Sequence, residues 1–414
     1  MERVKTTRLL LVFAAVTAAS AQDYDLLLKG GHVIDSRNDV NRVADVAISG
    51  GRIAAVGDNL AASAAKQVVD ARGLYVTPGL VDIHVHVNAG TGERGSYSGD
   101  LSVYPDAHTL RAGVTTAVDA GSSGAANFED FKDRVIDRSK TRILAFLNIV
   151  NKGMRGGEIE QDLKDMKPGP TAAMAKKHPD KIVGVKTAHF EGPEWDPVDR
   201  AVEAAELFDG VVMVDFGQFH SARPFGELIT EHLREGDIYT HLYLGRVPMF
   251  DKKGRLEPYF FEARLRGVKF DVGHGAGSFW WDKAVPAIRQ GFWPDSISTD
   301  LHINSMMEGM KNMTNVMSKV LNQGVPLYDV IDMSTSAPAL QIKREELGHL
   351  GVGAPADIAV LRLDHGRFGF IDAQGARSEG TKKLTCELTI RDGTVVWDLN
   401  GLAAPDWQLH YGRL

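Results

Sequence analysis

The sequence predicts an α/β protein in which a (β/α)8 barrel of the TIM type carries a small β-sandwich domain built from both chain ends. Three observations predict this fold. The middle of the 414-residue chain holds eight short apolar segments, mostly separated by amphipathic or helix-forming segments. Both ends instead show alternating strand patterns interrupted by glycines. The length also exceeds that of one small core and fits a barrel with an appendage.

The eight apolar segments of the middle region are predicted to be the barrel strands. They lie at residues 81–86, 115–119, 142–148, 182–186, 211–215, 238–241, 269–271 and 296–299. Residues 127–139 and 197–205 are examples of the predicted helices between them. In such barrels the catalytic residues lie where the strands end, so polar residues at these positions are the first candidates for a functional site.

The chain ends are predicted to form hairpins that share one domain. Gly50-Gly51 and Asp392-Gly393 each stand between two strand patterns, and such pairs favour tight two-residue turns. We therefore expect a β-sandwich whose first part is residues 22–77 and whose second part is residues 346–414. The barrel is expected to occupy residues 78–345 between them.

Composition excludes several classes of function. Hydrophobic residues make up 43%, charged residues 24% and the formal charge is −7, as in an ordinary globular protein. The negative charge argues against nucleic-acid binding. The single cysteine, Cys386, excludes an intrachain disulfide and a cysteine-based zinc site. Because it lies in an alternating strand pattern, we interpret it as a structural thiol.

The first 21 residues have the pattern of a signal peptide. Basic residues precede an apolar run at residues 9–18, and Ala19-Ser20-Ala21 offers small residues for cleavage. The run is too short to cross a bilayer as a stable helix, although an uncleaved anchor is the alternative. We expect an exported protein, periplasmic or secreted, with no membrane segment in its mature form.

The most informative motif is His84-Val85-His86, which ends the first apolar segment. Alternate residues of a strand point the same way, so two such imidazoles can chelate one metal ion. Lys186, His241 and Asp300 end three further apolar segments. Taken singly, each has an ordinary explanation, such as a hydrogen-bonded core histidine, a lysine that reaches solvent or a turn-forming aspartate. Their occurrence in barrel order favours a metal site.

With these residues the chain resembles the amidohydrolase superfamily of metal-dependent hydrolases, in its deacetylase and dihydroorotase-like branch. The stretch at residues 78–86, the strand-end residues above and the segment at residues 348–357 carry the resemblance. It implies two divalent metal ions, with zinc as the first choice, bridged by Lys186 after carbamylation by CO2. It further implies that His84, His86 and Asp300 hold the first ion. His241 would help to hold the second, and Asp300 would act as the general base.

The chain departs from the family pattern at the fifth strand. The family usually places a metal-binding histidine there, whereas this strand ends in Asp215. We prefer Asp215 as the replacement ligand, because a carboxylate oxygen is a competent ligand at the same strand end. His189 and His220 are alternatives with suitable chemistry. A single-metal site, with Asp215 bound to an arginine, also stays open.

The resemblance implies a hydrolase that uses a metal-activated hydroxide to cleave an amide, cyclic amide or acetyl ester of a small molecule. Five residues in loops after the strands are candidates for substrate contact: His274, Arg94, Tyr97, Arg155 and His189. Each could equally be an ordinary loop side chain. The alternative function is a noncatalytic metal- or ligand-binding protein on a degenerate barrel. The sequence identifies neither the substrate nor the metal, and it leaves open whether a homo-oligomer forms.

Overall fold

The computed structural model describes residues 23–412, so the predicted signal peptide lies outside the described residues. In chain order the strands are β1 (Tyr24–Asp35), β2 (Val40–Ser49), β3 (Arg52–Gly57), β4 (Ala65–Asp70), β5 (Tyr75–Pro78), β6 (Leu80–Val85), β7 (Val114–Gly124), β8 (Arg142–Asn148), β9 (Ile182–Thr187), β10 (Val211–Val214), β11 (Ile238–Tyr239), β12 (Lys269–Phe270), β13 (Ile358–Ile371), β14 (Arg377–Arg391) and β15 (Thr394–Asp398).

The helices are mostly short and lie chiefly between the strands of the middle region. The α-helices are α1 (Asp106–Thr109), α2 (Phe128–Arg134), α3 (Pro168–Lys177), α4 (Asp196–Glu206), α5 (Phe225–Glu227), α6 (Pro258–Leu265), α7 (Trp281–Arg289), α8 (Ile303–Met307), α9 (Met313–Asn322), α10 (Leu327–Asp332), α11 (Ser336–Gln341) and α12 (Trp407–Tyr411). A π-helical turn at Leu228–His232 follows α5. Within residues 23–412, no helix combines the length and the apolar character needed to cross a membrane.

Both chain ends contribute to one sheet, as predicted. Its strand order is β15-β14-β13-β5-β1-β2-β3, with β4 paired to β1. All eight strands are hydrogen-bonded into this one sheet. The short strand β5 pairs with both β1 and β13 and so joins the N-terminal and C-terminal halves.

The two predicted hairpin turns are confirmed. Gly50 and Gly51 connect β2 to β3 with φ values of 56° and 75°. Asp392 and Gly393 connect β14 to β15 with φ values of 48° and 75°. Positive φ at both central residues is the geometry that suits the twist of a two-residue hairpin. The turns also touch, since a Cβ on Gly393 would lie 2.7 Å from the Cα of Gly51.

The middle region contains a parallel sheet of seven strands in the order β12-β11-β10-β9-β8-β7-β6. These strands correspond to the first seven predicted barrel strands. The eighth predicted strand does not form a regular strand. The predicted segment, residues 296–299, lies between two isolated parallel bridges, from Ser296 to Asp271 beside β12 and from Leu301 to Val85 in β6. A left-handed backbone at Asp300, with φ of 50°, interrupts regular pairing there.

The first barrel strand is less regular than simple alternation predicts. Its register against β7 shifts between Asp82 and Val85. Strand alternation predicts that Ile83 and Val85 share the face opposite the two histidines. This prediction is wrong, because Ile83 packs in one apolar cluster with residues of the parallel strands, whereas Val85 packs in the larger cluster that includes the helices. The irregularity lies beside the histidine pair, at the carboxyl end of the strand.

Candidate metal centre

His84, His86 and Asp300 converge at the carboxyl end of the parallel strands. Asp300 Oδ1 lies 3.5 Å from His84 Nε2 and 3.2 Å from His86 Nε2, and all three residues are buried. This carboxylate oxygen has no hydrogen-bond partner among the described residues. A buried oxygen without a donor is costly, unless a cation satisfies it. Two imidazole nitrogens and a carboxylate oxygen are ligands that divalent metal ions accept, so the donor set fits a metal ion.

The second nitrogen of each imidazole is held by a neighbouring oxygen. Nδ1 of His84 lies 2.8 Å from the Thr240 hydroxyl, and Nδ1 of His86 lies 2.8 Å from the Ser122 hydroxyl. His241 Nδ1 donates to the carbonyl oxygen of Gly273 at 2.6 Å. A proton on Nδ1 leaves the lone pair of Nε2 free, which is the state in which an imidazole binds a metal ion.

Lys186 lies at the same place and is fully buried. Its Nζ is 3.4 Å from His84 Nε2. Burial lowers the pKa of this lysine, although the surrounding carboxylates, led by Asp215, oppose the shift. A lysine that gives up its proton is a nucleophilic amine. Gly121 packs against its stem with φ of 86°, and a Cβ on that glycine would come within 2.7 Å of the Lys186 Cβ.

Asp215 and His241 form the second half of the cluster. Asp215 Oδ2 lies 3.4 Å from His241 Nε2 and also 3.4 Å from His189 Nε2. Burial alone would raise the pKa of Asp215, but the charge and hydrogen bond of His241, with the charges of His189 and Lys186, hold it well below its usual value. The predicted strand-five carboxylate therefore faces the site, and it contacts imidazoles rather than an arginine.

A cavity of about 220 Å³ opens above this cluster. It is lined by the predicted residues Tyr97, His189, Asp215, His241 and Asp300 and by residues with no sequence-based role, namely Leu244, Arg246, Ala276, Gly277, Ser278 and His302. Larger cavities exist elsewhere, such as one of about 540 Å³ between α9 and β14. That cavity contains none of the predicted ligands, so size alone does not identify the functional site.

The five candidate substrate-binding residues occupy different positions. Tyr97 and His189 line the cavity, whereas Arg94 and Arg155 are not among its lining residues. Arg94 is exposed, and Arg155 forms an ion pair with Glu93 at 2.5 Å. His274 is fully buried, with Nδ1 2.9 Å from the carbonyl oxygen of Gly275 and Nε2 2.6 Å from Lys319 Nζ.

Comparison with known proteins assigns the family. A model described as "Amidohydrolase family" matches residues 259–397. A deacetylase of Agrobacterium fabrum is 34% identical over 344 residues, which are 80% of this chain and 81% of that protein. The structure of an adenine deaminase matches with a TM-score of 0.82 and 26% identity, over 91% of this chain and 100% of that one. The structure of a dihydroorotase matches with a TM-score of 0.78 and 30% identity, over 90% and 99%.

The resemblance predicted from the sequence is thereby confirmed, including its deacetylase and dihydroorotase-like branch. All three proteins carry the names of enzymes, which favours a hydrolase over a noncatalytic binding protein. The similarity to the Agrobacterium protein extends over most of both sequences. The chain belongs to the amidohydrolase family of metal-dependent hydrolases.

Proposed function

We propose that this enzyme hydrolyses an amide, a cyclic amide or an acetyl ester of a small molecule at the cavity described above. The observation that carries the proposal is the unpartnered Asp300 Oδ1 faced by His84 Nε2 and His86 Nε2. The names deacetylase and dihydroorotase among similar proteins support these bond types. The cavity volume, about 220 Å³, suits a small substrate rather than a polymer.

We propose two divalent ions, with zinc as the first candidate. His84, His86 and Asp300 would hold the first ion. Lys186, carbamylated by CO2, would bridge to a second ion held by His241 and Asp215. The buried Lys186 amine with its lowered pKa supports the carbamate, because only the neutral amine reacts with CO2. Divalent ions in such a site lower the pKa of bound water and polarise a carbonyl group.

Asp300 is the residue that we propose as the general base. Burial alone would raise its pKa, but His302 and His86 hold the pKa at about 2, so the carboxylate is ionised at neutral pH. It can accept the proton of the attacking water and deliver it to the leaving nitrogen or oxygen. His302 Nε2 lies 3.8 Å from Asp300 Oδ2, whereas the histidine pair lies near Oδ1.

Tyr97 is positioned to cover the centre. Its ring lies 4.4 Å from the His86 ring and 5.1 Å from the His302 ring, measured between centroids. We propose that Tyr97 limits the access of water to the reacting carbonyl, since electrostatic interactions strengthen when water is excluded.

We also propose the finer features of the architecture. Residues 296–301 would close the parallel sheet into a (β/α)8 barrel, supported by their bridges to Asp271 and Val85. The sheet of the chain ends would wrap around its own apolar cluster as a β-sandwich at residues 22–77 and 346–414, with the barrel at 78–345.

Residues 1–21 would direct export to the periplasm or beyond. The mass of the mature protein, compared with the full sequence, tests the cleavage.

Replacement of Lys186 by alanine tests the proposed chemistry. We expect the bound zinc and the turnover to fall together when both are measured on one preparation. The substrate panel would contain N-acetyl amino acids, dihydropyrimidines, hydantoins and acetylated hydroxy acids. Lys252→Ala, at an exposed position, is the matched control and should behave as the unmodified enzyme. Full turnover by Lys186→Ala in metal-free buffer would contradict the proposal.

A further inference from the structure

We infer that His189, oriented by Glu160, supplies the second-metal imidazole that the fifth barrel strand lacks. The inference rests on the proposed function, because it concerns the same binuclear centre. It assigns the second ion to His241 and His189 on either side of Asp215. The strand-five position itself offers only a carboxylate, since β10 ends at Val214 and Asp215 follows.

The distances place His189 and His241 equivalently around one carboxylate. Nε2 of each ring lies 3.4 Å from Asp215 Oδ2. Both rings line the same cavity, and Asp300 lines it too. Two imidazole nitrogens therefore flank one carboxylate oxygen beside the first metal group. The three residues have the same donor types as His84, His86 and Asp300, but their donor atoms are spaced more widely than those of the first group, which all lie within 4.8 Å of one another.

Glu160 fixes the orientation of the His189 ring. Its Oε2 lies 2.8 Å from His189 Nδ1, and its Oε1 accepts a hydrogen bond from the Gly156 backbone at 2.6 Å. The Glu160 side chain is only 2% exposed, so its carboxylate is held in place. A carboxylate on Nδ1 directs the Nε2 lone pair away from itself and makes the imidazole a stronger metal ligand. Here that lone pair points toward Asp215.

The backbone at His189 shares a feature with two proposed ligands. His189, His241 and Asp300 have φ values of 57°, 63° and 50°, all in the left-handed region. Such a conformation in residues other than glycine is uncommon and concentrates at functional sites. The three residues follow different strands, so one local turn cannot explain the coincidence. All three side chains line the cavity.

Hydrogen bonds hold the loop that carries His189 against the end of the fifth barrel strand. Gln161 Nε2 donates to the His189 carbonyl oxygen at 3.0 Å, and the Gln218 backbone donates to the Phe190 carbonyl oxygen at 3.1 Å. Gly217 allows the approach, because a Cβ there would lie 2.5 Å from that same carbonyl oxygen. His189 is thus presented at the strand end where the family places its histidine.

His220, the other alternative, faces a different partner. Its Nε2 lies 2.5 Å from the carbonyl oxygen of Glu191, and it is absent from the lining of the cavity among the described residues. A five-residue separation from Asp215 therefore does not bring this imidazole to the centre. The geometry therefore favours His189 over His220 as the second-metal ligand.

The test compares His189→Ala with a histidine–glutamate pair outside the centre. His178 Nε2 lies 2.8 Å from Glu129 Oε1 and provides the matched control, His178→Ala. Each protein is loaded with Zn²⁺ and dialysed, and the ions per chain are measured by elemental analysis and titration calorimetry. We expect two ions in the unmodified enzyme and in His178→Ala. We expect one ion in His189→Ala, with at least a 100-fold loss of affinity at the second site.

Three further measurements guard against indirect effects. Glu160→Gln keeps the size of the side chain but removes its charge, and we expect second-site affinity about 10- to 100-fold lower. Co²⁺ substitution reports on the ligands directly, since its visible absorption should change in His189→Ala and stay unchanged in His178→Ala. Thermal unfolding within a few degrees of the unmodified enzyme would show that each variant is folded.

The outcomes separate this inference from the proposed function. If His189→Ala holds two ions with unchanged affinity, the assignment of His189 is wrong, while the binuclear hydrolase still stands. If the unmodified enzyme holds a single ion, the inference is also overturned, but hydrolysis at the first group of ligands is not. If the unmodified enzyme holds no ion under any loading condition, the proposed function itself fails. Anomalous diffraction from a zinc-loaded crystal would show directly whether His189 Nε2 is a ligand.

Discussion

The hydroxyl of Thr240 accepts a hydrogen bond from His84, with 2.8 Å between Oγ1 and Nδ1. The direction follows from the next contact, because Thr240 Oγ1 donates to Asp271 Oδ2 at 2.8 Å. Asp271 is fully buried and also accepts hydrogen bonds from Ser296 and Ser298. A chain of three residues thereby fixes the proton of His84 on Nδ1 and leaves Nε2 free for a metal ion.

Replacement of Thr240 by valine should weaken metal binding without unfolding the protein. Valine has a similar shape but leaves the Nδ1 proton of His84 without a partner, and it removes one of the two hydrogen bonds that Asp271 Oδ2 accepts from Thr240 and Ser298. Loss of an interaction that orients a metal ligand typically reduces metal affinity about 10- to 100-fold. Titration calorimetry with Zn²⁺ measures the change. Thr240→Ser keeps the hydroxyl and should retain most of the affinity, so equal losses in both variants would contradict the role of the hydrogen bond.

Substitution of Gly121 by alanine should disable the centre through Lys186. The new Cβ would lie 2.7 Å from the Lys186 Cβ and would displace the lysine stem. Gly73 provides a control, because its φ of 79° is also positive but nothing lies within 4 Å of a Cβ there. Both variants should lose about 1–2 kcal/mol of unfolding free energy from backbone strain alone.

Only Gly121→Ala is expected to lose turnover and bound metal as well. Urea unfolding gives the free energies, and elemental analysis with a turnover assay gives the functional comparison. Retention of full turnover in Gly121→Ala would show that the space beside Lys186 is not needed for its position.

Arg246 should recognise an acidic group on the substrate. It is exposed on the cavity wall and forms no ion pair with any residue in the range 23–412. A hydrogen bond to a charged group contributes about 2 kcal/mol, so Arg246→Ala should raise KM roughly 10- to 100-fold for substrates that carry a carboxylate. Neutral substrates should be unaffected, and kcat should change little.

Arg94→Ala is the control for this prediction. Arg94 is exposed but lies outside the lining of the cavity. Steady-state kinetics on a matched acidic and neutral substrate pair measure both variants. An equal effect of Arg246→Ala on the two substrates would indicate a general effect on the cavity rather than recognition of charge.

The sequence predicts those residues of the site that lie at the ends of the barrel strands. Parallel strands end at a common edge, so residues that end apolar segments converge whatever path the loops take. His84, Lys186, His241 and Asp300 meet for this reason. The seventh apolar segment also ends in a carboxylate, Asp271, for which the sequence predicted no role. Asp271 accepts a hydrogen bond from Thr240, which in turn contacts His84.

The rest of the site depends on loops, whose paths are not encoded in any periodic pattern. Glu160 and His189 are 29 positions apart and meet only because two loops fold over the strand ends. Arg155 was expected near the substrate, but Glu93 in a neighbouring loop pairs with it. His274 is one of the candidates for substrate contact, and its ring is buried against Lys319. In each case the deciding partner is remote in sequence.

The fully buried Lys319 should make the stability of the enzyme depend on pH. It lies in α9, and its Nζ donates to the carbonyl oxygens of Gly309 at 2.7 Å and of Ile371, at the end of β13, at 2.6 Å. Burial lowers its pKa to about 7, although the carboxylate of Asp372 opposes the shift. In the unfolded chain a lysine keeps a pKa near 10.4. Between about pH 7 and pH 10 the unfolded state therefore binds one proton more than the folded state.

Stability must rise with pH wherever the unfolded state binds more protons. The unmodified enzyme should gain up to about 1.4 kcal/mol per pH unit relative to Lys319→Met between pH 7 and pH 9. Urea unfolding of both proteins, in the presence of a chelator, gives the two slopes. The comparison uses the change of unfolding free energy with pH rather than its absolute value, because methionine also leaves two buried carbonyl oxygens without a donor. Parallel curves would show that Lys319 keeps its proton in the fold, held by three acceptors that include His274.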